Sequence, residues 1–312
     1  MRASSAAWLQ ALEFSAMNLN LTVLMYHYVR DAGDAAEAGS GIRGMSKQKF
    51  CAQVDTIART YEMVSWKDVR EAVLEKKPLP ERACLLTFDD GVCDHYWNVF
   101  PELARRKLSG LFFALARAED ANLPLPFKLH FLIARLGLEN LRAEIWNRLN
   151  ESQRAIYREA EVRYRLRGKA ETDVVKGIFQ RDLADAVNPL LSELIAQHIG
   201  SEQELARQLF LNDAQIKEMR AGGMHFGGHS ATHPWFDFIS PAQRADEIRA
   251  SREGLTRVEQ PPFAFAYPYG GLADDAPQLF QQNHFCAAFT TRASVTHADP
   301  FYIGRFDGEE WQ

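Results

Sequence analysis

The sequence lacks long hydrophobic runs, a paired set of cysteines and an excess of positive charge, and each absence excludes a class of protein. No stretch approaches the roughly 20 apolar residues that span a bilayer, and residues 1–20 contain no convincing signal-peptide core. The 4 cysteines have no CxxC spacing, which is typical of reduced, structural thiols. The net charge of −5 argues against a nucleic-acid-binding protein. We therefore expect a cytoplasmic protein without a transmembrane segment.

What the sequence does contain is an alternation of strand and helix patterns. Near-continuous apolar runs such as ACLLTF and SGLFFALA are typical of strands buried on both faces of a parallel sheet, and helical patterns separate them. Residues 117–221 break this rhythm with several amphipathic helices. The pattern predicts an α/β fold with an N-terminal extension (1–20) and a single domain (21–312) that carries a helical insertion at about 117–221.

Two adjacent carboxylates, Asp89 and Asp90, follow the buried strand ACLLTF and precede Gly91. Neighbouring carboxylates at the end of a buried strand repel each other unless a cation or proton compensates for them. The carboxyl ends of parallel strands are also where active sites lie. A purely structural alternative, with Asp90 capping a helix and Asp89 solvated, remains open at this point.

Two histidines, His229 and His233, lie in the segment HSATHP, which also follows a predicted strand. On a helical turn, an i, i+4 pair places both imidazoles on one face and can bind one metal ion. Together with one Asp they would form a three-ligand set with an open position, as in catalytic zinc sites. The segment YPYGG (267–271) follows another strand and predicts a tight turn.

In this order, TFDDG, HSATHP and FAYPYG resemble the leading motifs of the polysaccharide deacetylase family, the NodB-type carbohydrate esterases. The resemblance covers most of residues 21–116 and 221–306. It implies a distorted (β/α)7 TIM-like barrel and one divalent metal ion, usually Zn²⁺ and in some members Co²⁺, Fe²⁺ or Ni²⁺. By motif match it also implies Asp90, His229 and His233 as metal ligands, Asp89 as general base, and the backbone N–H of Tyr269 as an oxyanion donor.

Two features depart from the family pattern. Ala266 occupies the position where many members have an arginine that tunes the catalytic aspartate, so the partner of Asp89 is unidentified. The late motif that supplies the general acid is also not evident. By its order in the chain, His297 is our candidate for that acid, with His27 and His130 as alternatives.

We assign substrate binding to three residues whose side chains can hold a polar or anionic group: Lys128, His130 and Arg305.

These observations predict an N-deacylase that removes an acetyl or formyl group from an amino sugar during surface-polysaccharide or lipopolysaccharide assembly. The sugar would be nucleotide-linked, lipid-linked or part of an oligosaccharide. An O-deacetylase or another amide hydrolase would use the same residues. The third hypothesis is a catalytically inactive barrel that binds sugar, because the arginine and the general acid of the family are both missing from their usual positions.

Overall fold

The computed structural model describes residues 19–31, 41–116 and 122–311. Most of the predicted N-terminal extension lies outside the described residues. The chain divides into two compact units. The barrel unit comprises Met1–Val29, Met45–Arg117 and Phe210–Gln312, and the helical unit comprises Arg30–Gly44 and Ala118–Leu209. Within the described ranges, no helix is long and apolar enough to cross a membrane.

The barrel unit contains the strands of the protein. They are β1 (Leu19–Asn20), β2 (Thr22–Tyr26), β3 (Glu62–Met63), β4 (Ala83–Phe88), β5 (Leu111–Ala114), β6 (His225–Gly228), β7 (Phe263–Ala266), β8 (Phe285–Phe289), β9 (Thr296–His297) and β10 (Phe306–Asp307). The apolar runs identified in the sequence become these strands because a strand with both faces covered can bury every side chain, as β4 and β8 do.

A single parallel sheet organises this unit. Its strand order is β10-β2-β4-β5-β6-β7-β8, with β3 beside β4, while β1 and β9 form a separate antiparallel pair. A parallel bridge joins Phe289 at the end of β8 to Ile303, three residues before β10. The segment 303–307 thereby contacts both ends of the strand order, and the sheet curls. The α/β class and the distorted barrel predicted from the sequence are confirmed.

The helices follow the strands along the chain. In chain order they are α1 (Lys47–Thr60), α2 (Trp66–Glu75), α3 (Phe100–Arg106), α4 (Leu125–Leu136), α5 (Leu138–Arg148), α6 (Glu151–Leu166), α7 (Glu171–Gly177), α8 (Ala184–His198), α9 (Glu202–Leu209), α10 (Asp213–Ala221), α11 (Pro241–Leu255) and α12 (Ala276–Gln282). Ser46 is the N-cap of α1 and accepts a hydrogen bond from the amide of Lys49. Helices α4 to α9 belong to the helical unit.

The helical segment ends earlier than the predicted boundary at residue 221. Phe210 forms an antiparallel bridge with Val92, and the amide of Leu211 donates to the carbonyl of Gly91 at 2.9 Å. These contacts tie the chain after α9 to the loop that follows β4, so α10 belongs to the barrel unit. Amphipathic spacing in the sequence could not separate α10 from the helices before it.

Candidate metal centre

The residues predicted to carry chemistry lie at the carboxyl ends of parallel strands. Asp89 and Asp90 directly follow β4, His229 follows β6, and Pro268 begins a turn two residues after the end of β7. His27 follows β2, which pairs with β4 in register. Because these strands run in the same direction, their ends meet at one edge of the sheet, where active sites of such folds lie.

Asp90, His229 and His233 form a compact set of metal-binding groups. All three are buried, and their ligand atoms lie within 4.8 Å of one another. Asp90 Oδ1 is 3.5 Å from His229 Nε2 and 3.3 Å from His233 Nε2. Ligands about 2.0–2.1 Å from a tetrahedral zinc ion would be separated by roughly 3.3 Å. The donor set therefore fits a small divalent cation.

The hydrogen bonding of the set also fits a cation. Asp90 Oδ1 is buried and makes no hydrogen bond to a residue that the structure describes. His229 Nδ1 lies 2.8 Å from the carbonyl oxygen of Ala266, so Nδ1 carries a proton, and in the neutral ring Nε2 has the lone pair on the side of Asp90. The backbone of Ala266 thus orients His229, a candidate metal ligand.

The histidine segment is not the helical turn that the i, i+4 spacing suggested. Residues 229–233 form an irregular loop in which Ser230 and His233 have positive φ values of 67° and 60°. Ser230 Oγ accepts a hydrogen bond from the amide of His233 at 3.0 Å. The two imidazole rings lie 4.8 Å apart and nearly perpendicular. The spacing correctly indicated that both rings converge, but the backbone reaches that arrangement by a turn.

Strained backbone is concentrated in this region. Besides the two residues of the histidine loop, Asp90 has a φ of 76° and Tyr269 a φ of 57°. For residues with a Cβ, such conformations cost about 1–3 kcal/mol each and persist where the surroundings enforce them, commonly at active sites. Gly91, at φ 66°, has no room for a Cβ, which would lie 2.9 Å from Ala114 Cβ. The Asp90–Gly91 pair therefore makes a sharp turn after β4.

Asp89 has the partner that the sequence did not reveal. Arg305 Nη1 donates to Asp89 Oδ1 at 2.6 Å and Arg305 Nη2 to Oδ2 at 2.7 Å, with both side chains buried. Burial opposes ionisation of Asp89, but the charges of Arg305 and His229 outweigh it, so the pKa of Asp89 lies below its usual range. This carboxylate is consequently negative at neutral pH.

Arg305 is therefore not the substrate-binding residue that we predicted. It is 1% exposed, and its Nε and Nη1 also donate to the carbonyl of Thr290 and the hydroxyl of Thr87. Four of its five N–H donors are thus used within the barrel unit. Arg305 takes the place of the arginine absent at Ala266, from a point 39 residues later in the chain. The sequence signal for this role of Arg305 is its position directly before the short last strand, β10.

Asp90 and His229 show the charge balance of the site. Burial favours the neutral form of Asp90, but its approach to the two imidazoles outweighs this and holds its pKa well below the usual range. Burial also disfavours the charged form of His229, yet Asp89 and Asp90 raise its pKa above the usual value. Because the positive charge of Arg305 balances that of ionised Asp89, the negative charge of Asp90 is left to attract a cation.

His297 cannot be the general acid, which corrects our prediction. It is 3% exposed, its Nε2 lies 3.0 Å from the carbonyl oxygen of Leu21, and the amide of Gly304 donates to its Nδ1. Leu21 precedes β2, whereas Asp89 follows the parallel strand β4. The two ends of a five-residue strand are about 16 Å apart. His297 is a structural residue at the opposite end of the barrel.

His27, an alternative for the acid, does lie at the correct end. It follows Tyr26, the last residue of β2, and the amide of Asp89 donates to the carbonyl of Tyr26 at 2.8 Å. It is half-buried, and its charge contributes to lowering the pKa of both Asp89 and Asp90. The structure therefore brings His27, and not His297, to the carboxylates.

Tyr269 lies beside the histidine loop. Its ring packs edge-on against His233, with centroids 4.5 Å apart, and stacks on Trp235 at 4.4 Å with an interplanar angle of 7°. Burial and the charge of Asp90 raise the pKa of Tyr269 well above its usual value, so its hydroxyl stays protonated. The assignment of its backbone N–H as an oxyanion donor stays a prediction.

Lys128 is a structural residue, contrary to our prediction of substrate binding. It is 4% exposed in the helical unit, where its Nζ contacts Asn188 at 2.9 Å, Ser192 at 2.7 Å and Glu202 at 3.2 Å. These partners lie on α8 and at the start of α9, so the ammonium group joins three helices.

His130 is partly exposed on α4 and contacts the ring of Phe127, and its substrate-binding role stays a prediction.

The fold and the converging Asp-His-His group define an α/β barrel with a candidate metal centre, and the comparisons with known proteins show which family it resembles. The family model described as polysaccharide deacetylase matches residues 188–287, which include both HSATHP and FAYPYG. The TFDDG motif lies at a neighbouring strand end, outside the matched residues. The chain therefore resembles the polysaccharide deacetylase family in the matched third of its length and in this further motif.

Solved structures of deacetylases have the same fold. Streptococcus pyogenes deacetylase PplD in complex with acetate matches with a TM-score of 0.57 and 16% identity, covering 94% of this chain and 93% of its own. IcaB from Ammonifex degensii matches with a TM-score of 0.55 and 20% identity, covering 93% and 92%. At these identities the likeness concerns the fold.

A short segment is closer in sequence to a curated protein. The poly-beta-1,6-N-acetyl-D-glucosamine N-deacetylase of Escherichia coli strain K12 is 54% identical over 43 residues. That match covers 14% of this chain and 6% of the length of the relative.

Proposed function

We propose that this protein is a metal-dependent hydrolase that removes an N-linked acyl group, acetyl or formyl, from an amino sugar in surface-polysaccharide assembly. One observation carries the proposal: a buried carboxylate, Asp89, is held ionised by the two-pronged Arg305 contact directly beside the Asp90, His229 and His233 group. A sugar-binding barrel without catalysis would not need a charged carboxylate buried at that point.

Asp90, His229 and His233 would hold the divalent ion, for which we propose Zn²⁺, with Co²⁺, Fe²⁺ or Ni²⁺ as alternatives. When bound, such an ion supplies positive charge that acidifies water and polarises an acyl carbonyl. The hydrogen bond from His229 Nδ1 to Ala266 keeps the other ring nitrogen free for this purpose.

Asp89 is the general base in this proposal. Its lowered pKa means that the carboxylate is available to accept a proton from water throughout the neutral range. Arg305 holds the carboxylate in one orientation through two parallel hydrogen bonds, which removes the freedom that the side chain would otherwise have. The Tyr269 N–H would stabilise negative charge on the acyl oxygen.

His27 is the proton donor in this proposal, in place of His297. It follows β2, the neighbour of the strand that ends at the carboxylates, and it is half-buried, so one side of its ring can meet solvent or substrate. A protonated imidazole there could transfer a proton to the nitrogen of the leaving amine.

The chemical class of the substrate rests on likeness. The short match to an N-deacetylase of an N-acetyl-D-glucosamine polymer favours an amide-linked acetyl group over an O-linked one. The linkage of the sugar to a nucleotide, a lipid or an oligosaccharide, the link to lipopolysaccharide, and the cytoplasmic location stay predictions.

The test uses the full chain with N-acetylated and O-acetylated glucosamine oligomers, measuring release of free amine and of acetate. We expect amine release that a chelator abolishes and added Zn²⁺ restores. Asp89→Asn should lower kcat by about 10²–10⁴-fold, while the exposed control Asp246→Asn leaves it unchanged. Acetate release from esters alone would contradict the amide specificity, and no turnover with either class would contradict catalysis.

A further inference from the structure

Helix α11 holds the loop that carries both ligand histidines. Glu247 Oε2 accepts hydrogen bonds from the amides of Ala231 at 2.7 Å and Thr232 at 3.0 Å. Glu247 Oε1 accepts from the hydroxyl of Thr232 at 2.6 Å. The carboxylate of Glu247 thus contacts both residues that lie between Ser230 and His233, the last residue of the loop.

This contact accounts for how the loop keeps its shape. The amides of residues 231, 232 and 233 follow one another in a turn that belongs to no strand or helix. Residue 231 is half-buried and residue 233 is buried, so their amides need acceptors within the protein, while residue 232 is exposed. Glu247 accepts from the first two, and Ser230 Oγ accepts from the third. The positive φ values of Ser230 and His233 are strained conformations that such contacts can enforce.

A second residue on the same face of α11 holds the chain that follows the loop. Arg244, three residues before Glu247, is 9% exposed and donates from Nη1 to the carbonyls of Phe236 and Ile239. Its Nε and Nη2 form two hydrogen bonds with Asp275, at 2.7 and 3.0 Å, on the segment after the YPYGG turn. Helix α11 is therefore attached both to the histidine loop and to the chain that follows it.

We propose that Glu247 is a positioning residue that sets the metal affinity of the site by holding the 230–233 turn in the conformation that directs His229 and His233 toward Asp90. The inference rests on the proposed metal-dependent function. Glu247 itself contacts neither a ligand nor the reacting groups; it acts through the backbone between two ligands. Residues of this kind in metalloenzymes typically change metal affinity by about 10–100-fold when they are removed.

The experiment measures the affinity of the full-length protein for Zn²⁺ by competition with a chromophoric chelator. We expect Glu247→Gln, which keeps one acceptor oxygen, to weaken Zn²⁺ binding about tenfold, and Glu247→Ala to weaken it toward a hundredfold. Thr232→Val removes one of the three hydrogen bonds and should weaken binding a few-fold. The matched control is Asp246→Asn, an exposed carboxylate on the same helix paired with Arg249, which should bind Zn²⁺ like the wild type.

The melting temperature of each metal-free variant separates positioning from general destabilisation. Should Glu247→Ala fail to fold, the Gln and Thr232→Val variants carry the test. If Glu247→Gln lowers the melting temperature but binds Zn²⁺ as tightly as the wild type, the positioning role is overturned while the proposed function stands. If the wild-type protein itself does not bind Zn²⁺, both this inference and the proposed metal dependence are wrong.

Discussion

Two buried cations, one in each unit, show how similar residues acquire different roles. Lys128 in the helical unit and Arg305 in the barrel unit are 4% and 1% exposed. Lys128 contacts the half-buried carboxylate of Glu202, and Arg305 contacts the buried carboxylate of Asp89. Lys128 shares its ammonium group among Glu202, Asn188 and Ser192 on neighbouring helices. Arg305 instead commits two parallel hydrogen bonds to Asp89 at a strand end.

The difference follows from the geometry of the two groups. An ammonium group is a compact charge whose three donors can point to three helices, whereas a guanidinium group matches both oxygens of one carboxylate and fixes its plane. The ammonium contacts of Lys128 hold helices together. The second also fixes the orientation and the charge of a group that is proposed to react.

The largest effect should come from Arg305→Met. Asp89, 2% exposed, would lose its partner, and breaking a buried pair in this way costs about 3–5 kcal/mol. The pKa of Asp89 should rise, so turnover should require a higher pH. Denaturant unfolding and a pH–rate profile measure both effects. Arg305→Lys keeps the charge without the two-pronged contact and should recover only part of the loss; full recovery would show that charge alone is enough.

Acid should weaken the barrel through His95, which lies in a π-helical turn after β4. It is 0% exposed, its Nε2 is 3.0 Å from the carbonyl oxygen of His27, and burial lowers its pKa to about 4. An unfolded histidine has a pKa near ~6.5, so between these values the unfolded chain binds a proton that the folded chain does not. The stabilisation is complete above pH ~6.5 and is lost as the pH falls toward 4, by about 3 kcal/mol in all.

Free energies of unfolding measured from pH 7 down to pH 4 test whether stability falls with pH in this way. The His95→Asn variant should show a flatter pH dependence of that free energy in the same window. Equal slopes for the wild type and the variant would assign the acid sensitivity in that window to groups other than His95. The lowered pKa of Asp89 predicts a loss at more acidic pH, as the pH falls below the ~3.9 of an unfolded aspartate and through the folded value.

The smallest effect should come from Lys128→Met. Removing the ammonium group leaves Glu202 and two polar side chains with fewer partners, which should cost about 1–3 kcal/mol of unfolding free energy. Turnover and Zn²⁺ affinity should not change. A variant that folds normally but loses turnover would restore the substrate-binding role that we first assigned to Lys128, and would remove the contrast with Arg305.

The sequence was most informative where the pattern of neighbouring residues is enough to determine the local structure. The buried runs before Asp89 and His229 predicted strands, and parallel strands deliver their ends to one edge of the sheet. The boundary of the helical segment was less accurate, because hydrophobic spacing reports which face of α10 is buried but not what covers it.

The amino-acid sequence alone determined the α/β class, the strand-end positions of Asp89, Asp90 and His229, and the convergence of two histidines. Only the tertiary structure decided that Arg305 pairs with Asp89, 216 residues away, that His297 lies at the far end of the barrel while His27 lies at the near end, and that Glu247 holds the histidine loop. The reason is physical. Strand and helix patterns arise from contacts between near neighbours in the chain, whereas the partner of a buried charge is set by which distant segments the closed sheet brings together.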